Sequence, residues 1–200
     1  MRFSPACGQR SGDMRECCQV QPFERVEEDG RSRHTNRLSV PTAVHLHGGV
    51  APPESDGFPT DMILPGQTRV YVYPNNQRAA TLWYHDHAMN HTGRNIYMGF
   101  SGFYLLYDEE EESLHLPEGP CDVPLLIQDR LFASNGEFVY DTFRHLAAKG
   151  GTILVNGAPW PCMEVAARRY RFRILNGSNA TPLRLALRQS RNKKWTNHLF

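Results

Sequence analysis

Residues 43–49 read AVHLHGG and residues 82–88 read LWYHDHA, and these two stretches decide the fold expected for this chain of 200 residues. Each stretch holds a His-x-His pair inside an apolar run, His45 with His47 and His85 with His87. Alternate side chains of a β-strand point to one face, so both members of a pair can reach one metal ion or two adjacent ions. Imidazole binds copper, zinc, iron and nickel, so the spacing alone leaves the metal open.

The sequence around the two pairs resembles a known protein family. The segments that carry the resemblance are TAVHLHGGVAPPESDGFP, TLWYHDHAMNHTGRNIYMGFSGFYLL, DVPLLIQDRLF and ILVNGAPWPCMEVAARRYRFRILNGSN. Together they resemble the multicopper oxidases, and among these the bacterial spore-coat laccases and the bilirubin oxidases. The resemblance runs in pieces from Val40 to Leu187, roughly three quarters of the chain, and concerns only the N-terminal part of such an enzyme.

This resemblance implies an all-β chain, with a cupredoxin-like Greek-key β-sandwich as its first domain and part of a second such domain. It also implies copper as the cofactor. By carry-over of the motifs, His45 would bind the type 2 copper. His47 and His85 would share one copper of the type 3 pair, and His87 would bind the other. In the family these three ions form the trinuclear cluster that reduces dioxygen to water.

Asp56, in the segment SDG, matches an acidic residue that the family keeps on the water side of the cluster. The resemblance therefore implies a catalytic role for Asp56 as a proton relay. An Asp-Gly turn explains the same residues, because Asp tolerates the local backbone geometry and glycine adopts positive φ without steric cost. The two interpretations are compatible, and the sequence leaves both open.

A complete enzyme of this family has two further His-rich motifs, and this sequence contains neither. The ligands of the type 1 copper are therefore absent from this chain. A type 1 site needs a thiolate beside two imidazoles, and none of the cysteines stands in such a context: Cys7, Cys17, Cys18, Cys121 and Cys162.

Three functions remain open at this point. The first is a laccase-like oxidoreductase that couples one-electron oxidation of a donor to dioxygen reduction, with its copper cluster completed in a homo-oligomer. The second is a non-enzymatic copper-binding fragment. The third is a zinc-dependent hydrolase, because such enzymes also place His-x-His pairs on strands.

Composition restricts the partners of the chain. It carries 22 basic and 21 acidic side chains, and so even a balance creates no long-range field for nucleic acid or an anionic membrane. No run of about 18 apolar residues occurs, so no membrane-spanning segment is expected. No signal peptide is recognised at the start, which predicts a cytoplasmic or spore-coat-associated protein. By resemblance, the expected partners are dioxygen and a small phenolic or pigment-like electron donor.

The domain organisation follows from changes in pattern along the chain. Residues 1–36 show no strand pattern and form an unassigned leader. Residues 37–116 are predicted to be the first cupredoxin-like domain, carrying both His-x-His motifs. The acidic run DEEEE followed by LPEGPCDVP predicts a solvated linker with a boundary near Leu116. Residues 117–200 are predicted to begin a second, truncated domain, with an unrelated tail at residues 188–200.

Short alternating or apolar runs predict the strands, among them RVYVYP, ATLWYH and PLLIQDRLF, and Asn135-Gly136 predicts a turn. In RRYRFRILNGSN, aromatic and aliphatic residues alternate with arginines, which predicts a half-buried strand. Its buried side is expected to consist of Tyr170, Phe172 and Ile174. Its solvated, cationic side is expected to consist of Arg169, Arg171 and Arg173.

Four residues around the second histidine pair are predicted to lie outside the metal site. Trp83, Tyr84 and Met89 are expected to pack in the core or against the histidine ligands, because such side chains bury large apolar areas. His91 departs from the family pattern and is expected to be a polar loop residue.

Overall fold

A computed structural model describes residues 30–140 and 151–187, together with the backbone of residues 4–5. Two short helices occur in these residues, α1 (Thr92–Tyr97) and α2 (Glu109–Ser113). The remaining regular structure is strands and two single 3₁₀ turns, Pro53–Ser55 and Gly119–Cys121. The strands are β1 (Ser4–Pro5), β2 (Arg31–Thr35), β3 (Val44–His47), β4 (Thr68–Val72), β5 (Ala80–Asp86), β6 (Ser101–Leu106), β7 (Asp122–Arg130), β8 (Thr152–Val155), β9 (Ala158–Pro159), β10 (Pro161–Cys162) and β11 (Arg171–Asn176). The prediction of an all-β chain is confirmed.

Two antiparallel sheets enclose the core of the first unit. One contains the strands in the order β3-β5-β6, and the other pairs β2 with β4. Alternate residues of these strands point inward, and their buried members form one apolar cluster with Ile63: Leu46, Tyr71, Tyr73, Leu82, Tyr104 and Leu106. Because both sheets contribute to this cluster, burial of its aromatic and aliphatic surface holds the two sheets together.

The pairing of β3 with β5 brings the two histidine motifs side by side. In this antiparallel ladder His45 lies opposite His85, and His47 lies opposite Trp83. Gly102 of β6 lies opposite Tyr84 on the other side of β5. A Cβ on Gly102 would overlap the Tyr84 ring, so glycine is what allows β6 to approach here. The register of these three strands therefore fixes where the histidines meet.

A second sheet system follows in the order β11-β7-β8-β9. β7 is antiparallel to β8 and parallel to β11. The predicted turn is present, since Gly136 has a φ of +86° and Phe132 pairs with Phe138 across it. The predicted strands RVYVYP, ATLWYH and PLLIQDRLF correspond to β4, β5 and β7.

The prediction that residues 1–36 contain no strand is wrong at two places. Near the start, Ser4–Pro5 form β1, which pairs with β10. Near the end, Arg31–Thr35 form β2, which pairs along its whole length with β4. The alternation is hard to recognise in RSRHT because its inward residues are polar, and Ser32 is completely buried. Most of the leader, with Cys7, Cys17 and Cys18, and the tail at residues 188–200 lie outside the described residues.

The predicted acidic linker is a helical turn, α2, in which the Asp108 carboxylate accepts a hydrogen bond from the Glu111 backbone N–H. Its acidic residues are not all solvated. Glu111 is largely buried and forms an ion pair with Arg171 of β11. The domain boundary near Leu116 stays a prediction.

The two faces of β11 are the reverse of those predicted. Arg173 is buried, whereas Phe172 and Ile174 are 39% and 49% exposed. The Arg173 guanidinium donates to both carboxylate oxygens of Asp122, at 2.8–2.9 Å, and to the Thr81 hydroxyl at 2.7 Å. Each of the three guanidinium nitrogens therefore has a hydrogen-bond partner, which makes burial of this charge tolerable.

Helix α1 packs against the end of β7. The Arg130 guanidinium lies 4.5 Å from the centre of the Tyr97 ring and donates to the Ile96 carbonyl oxygen at 3.1 Å. The Tyr97 hydroxyl accepts from the Leu131 backbone N–H at 2.8 Å. The chain after the second histidine pair is thus held by the sheet that follows it. Over the described part of the chain, no helix has the length and apolarity needed to cross a bilayer.

Candidate metal centre

Three histidines from two neighbouring strands form a compact cluster. One ring nitrogen from each of His45, His47 and His85 lies within 4.8 Å of the others. His87 is not part of this group, but its ring centre lies 5.0 Å from that of His45 and 5.7 Å from that of His85. The structure therefore brings three of the four predicted ligands together and places His87 beside them.

Backbone carbonyl groups set the orientation of three of these rings. His45 Nδ1 donates to the Asp56 carbonyl oxygen at 2.6 Å, and His87 Nδ1 donates to the Gly57 carbonyl oxygen at 2.9 Å. His85 Nδ1 donates to its neighbour's carbonyl oxygen, that of Asp86, at 2.8 Å. A carbonyl oxygen only accepts, so each Nδ1 carries the proton and each Nε2 keeps its lone pair. Such bonds orient metal-binding histidines and fix their tautomer.

His47 is oriented differently from the other three histidines. Its Nδ1 lies 3.2 Å from His85 Nε2, and its ring is exposed at the edge of the site. The two nitrogens therefore face each other from adjacent strands. Unlike the other three rings, His47 is not bonded to a backbone carbonyl oxygen of the described residues.

The loop that supplies two of the carbonyl groups is tightly held. The buried Ser55 hydroxyl accepts from the Val72 N–H of β4 at 2.9 Å. Gly57 has a φ of +73°, and a Cβ at this position would collide with the Val44 carbonyl oxygen. Only glycine fits, since it adopts positive φ freely and has no side chain. The SDG segment therefore acts on the histidines through its backbone.

Asp56 lies next to the cluster, as predicted. Its Oδ1 is 3.4 Å from His45 Nδ1, and its side chain is 39% exposed. The conformation of Gly57 agrees with the turn interpretation, and the position of the carboxylate at the solvent edge is compatible with the relay interpretation. Both roles can coexist because one uses the backbone and the other the side chain.

Aromatic packing shields one side of the site. The Trp83 ring centre lies 4.4 Å from that of His85 and 5.2 Å from that of His47. Burial lowers the pKa of His85 to about 4, so its imidazole is neutral at pH 7. Trp83 and Tyr84 pack as predicted, but Met89 is exposed, contrary to prediction. His91 precedes α1 at its N-cap position and is not part of the cluster.

The donor set suits copper. It consists of imidazoles alone, and imidazole is a common ligand of copper and zinc. In the described residues the group contains no thiolate, so it has none of the character of a type 1 site. Sequence analysis missed the carbonyl groups of the SDG loop and the buried Asp86. Asp86 could have been noticed in the sequence because it stands between the candidate ligands His85 and His87.

Comparison with known proteins supports this interpretation. Residues 31–111 match a family model described as multicopper oxidase. A laccase from Bacillus stratosphericus is 43% identical over 187 residues, which cover 82% of this chain and 37% of that protein. A bilirubin oxidase from Albifimbria verrucaria is 41% identical over 148 residues, covering 73% of this chain and 26% of that protein.

The solved structures agree with the sequence matches. The McoA multicopper oxidase from the hyperthermophile Aquifex aeolicus superposes with a TM-score of 0.69 at 39% identity, covering 76% of this chain and 35% of that one. The predicted cupredoxin-like β-sandwich fold is thereby confirmed. This chain spans about a third of the length of these relatives.

Proposed function

This chain belongs to the multicopper oxidase family, and from that premise we propose that it contributes half of the ligands of a trinuclear copper cluster. His45 would hold the type 2 copper. His47 and His85 would hold one type 3 copper, and His87 would hold the other. The observation that carries the proposal is the cluster of His45, His47 and His85. His87 lies beside it and, like His45 and His85, has its Nδ1 bonded to a backbone carbonyl oxygen. When bound, copper would supply the one-electron redox chemistry of the family.

The residues of this chain would have three tasks in that chemistry. The Asp56 and Gly57 carbonyl groups keep the rings of His45 and His87 turned toward the site. Trp83 excludes water from the buried side of His85. The Asp56 carboxylate, at the exposed edge, would pass protons between solvent and the site. Each task is carried by a side chain or carbonyl group that is already in place.

We further propose that the activity is laccase-like: one-electron oxidation of phenolic or pigment-like donors, coupled to reduction of dioxygen to water. The names of the relatives, laccase and bilirubin oxidase, support this substrate class. The four histidines supply only part of the cluster, because in the family two further motifs provide the remaining ligands. The remaining ligands would come from a second copy of the chain or from sequence beyond the part that matches.

The first test is copper retention. The protein is loaded with copper under anaerobic conditions and desalted, with an equimolar zinc competition in parallel. We expect about one or more coppers per chain, lost in the His85→Ala, His87→Ala double variant. His115→Asn is the matched control, because this exposed histidine has a φ of +47° that asparagine tolerates. Equal retention in the double variant would refute the proposed ligand set.

Dioxygen uptake with a phenolic donor is the second readout. Copper binds more tightly than zinc at most nitrogen sites, so a preference for copper does not by itself identify an oxidase. Uptake that depends on His85 and His87 would support the oxidase. A monomer that retains copper without uptake would favour the non-enzymatic copper-binding alternative, which the lack of a thiolate among the described ligands supports. Zinc retained in preference to copper would favour the hydrolase. Measuring oligomeric state in the same samples tests the shared cluster.

A further inference from the structure

A buried carboxylate lies directly behind the two histidine pairs. Asp86 is the last residue of β5 and stands between His85 and His87 in the sequence, so strand alternation turns its side chain to the face opposite that of His85. It is only 3% exposed. Its Oδ1 accepts from the Ala43 backbone N–H at 3.0 Å, and its Oδ2 accepts from the Ala88 backbone N–H at 3.1 Å.

These two bonds reach both ligand-bearing segments. Ala43 leads into β3 two residues before His45, and Ala88 directly follows His87. The His87 backbone N–H also donates to the Ala43 carbonyl oxygen at 2.8 Å. One carboxylate therefore joins the start of the first motif to the end of the second, at the point where the regular β3-β5 ladder stops.

Helix α1 adds a third bond to this junction. The Asn95 side chain donates to the Pro41 carbonyl oxygen at 3.3 Å. Burial raises the pKa of the Asp86 carboxyl, and the Asn95 side chain helps to lower that pKa, in the opposite direction. Asn95 is itself almost completely buried. Burial of a carboxylate is costly unless its oxygens are hydrogen-bonded, and an apolar residue would fill the same space without that cost. The bonds it makes, rather than the space it fills, explain an acid at this position.

We infer that Asp86 is a positioning residue that sets the separation of the two histidine pairs and thereby shapes the metal centre. The inference rests on the proposed function, because the separation matters only if the histidines act as ligands. Replacement by asparagine keeps the shape but places an amide N–H₂ against one of the two backbone N–H groups. Loss of that bond weakens the link between the two motifs, although the β3-β5 ladder remains.

The test compares Asp86→Asn with Asp129→Asn. Asp129 is an equally buried carboxylate on β7, where it accepts from the Thr181 hydroxyl at 2.7 Å, away from the histidines. Three quantities are measured for each protein: unfolding in urea, copper affinity of the folded protein by competition with a chelator, and the ¹⁵N shifts of the histidine rings without metal. Asp86→Ser provides a second variant, with a hydroxyl acceptor and no buried charge, if Asp86→Asn does not fold.

We expect both asparagine variants to lose stability, but only Asp86→Asn to lose copper affinity, by about 10- to 100-fold. Only Asp86→Asn should also shift the ring nitrogens of His45 and His87. Unchanged affinity and unchanged ring shifts in a folded Asp86 variant would overturn the inference and leave Asp86 a purely structural residue. If the unaltered protein binds no copper, the proposed function fails, yet the ring shifts of the metal-free proteins still decide the role of Asp86.

Discussion

Strands β5 and β11 both alternate polar with apolar residues, but the alternation has opposite outcomes in the two. In β5 the apolar Leu82 faces the core as the pattern indicates, and the histidines turn toward the site. In β11 the charged Arg173 is buried and Phe172 is exposed. Alternation tells which side chains share a face of a strand. What lies against that face decides whether it is buried.

The difference lies in the available partners. Arg173 points toward Asp122, Glu111 and Thr81, which come from three other elements and surround its guanidinium. The first unit needs no such charged partners, because its inward polar groups are either neutral or hydrogen-bonded to the backbone. A buried residue of the first unit, His34, keeps its imidazole uncharged, since burial lowers its pKa to about 4.

Arg173→Met is expected to have the largest effect, because it leaves the Asp122 and Glu111 carboxylates without the cation between them. Loss of one partner from a buried ion pair costs about 3–5 kcal/mol of unfolding free energy, measurable by urea denaturation. Arg78→Met is the control, since Arg78 and Glu110 form an exposed pair that contributes about 0–1 kcal/mol. Equal, small losses of unfolding free energy in both variants would contradict the burial of Arg173 and support the predicted solvated, cationic face of β11.

Gly57→Ala should come next, and Gly66→Ala is its matched control. Both glycines have φ near +80°, so alanine carries a similar backbone penalty of about 1–2 kcal/mol at each. Only at Gly57 would the new Cβ meet a backbone carbonyl, which adds about 1–3 kcal/mol of overpacking. The ring nitrogens of His45 and His87 should shift in Gly57→Ala alone. Identical unfolding curves for the two variants would contradict the close contact between residue 57 and the Val44 carbonyl oxygen.

The neutral state of His34 predicts a pH dependence. In the unfolded chain its pKa is near 6.5, and in the folded chain it is about 4. Below pH 6.5 the unfolded state therefore takes up a proton that the folded state does not, so stability falls as the pH decreases from 6.5 toward 4. His34→Asn should remove about 2 kcal/mol of this loss at pH 5. The variant and the unaltered protein should show parallel stability above pH 7. If the stability difference between the variant and the unaltered protein is the same above pH 7 as at pH 5, the pH linkage is disproved.

Phe172→Thr is expected to have the smallest effect. An exposed aromatic residue on a strand contributes little, so the change in unfolding free energy should stay within about 0.5 kcal/mol. Leu126→Ala on the neighbouring β7 is buried and should cost about 2–5 kcal/mol. A loss at Phe172 as large as that at Leu126 would show that the apolar face of β11 is covered after all.

Much of the first unit could be predicted from sequence. β4 and β5 follow their alternation, and the two motifs place their histidines on one face. β2 escaped prediction because its inward residues, Ser32 and His34, are polar and hydrogen-bond to each other, so neither shows the apolar signal of a buried face. α2 escaped because its acidic run is typical of solvated segments, whereas Glu111 meets an arginine of β11.

In the candidate site, sequence indicated the ligands and the neighbouring Asp56 but not what holds them. The carbonyl groups of the SDG loop carry no side-chain signal, since every residue has one. Asp86 appeared only as the spacer of a His-x-His motif. Its importance depends on Ala43, which is distant in sequence and adjacent only after β3 and β5 have paired.

The sequence by itself determined the strand class, the family and the identity of the four histidines, because strand periodicity and ligand chemistry are properties of a single segment. Only the tertiary structure decided that His45 lies opposite His85, that Asp86 ties the two motifs together, and that Arg173 is buried instead of Phe172. These features depend on register and on packing between segments. Register and burial depend on the interaction free energy between pairs of elements. They are therefore determined only when those elements pack together in the folded chain.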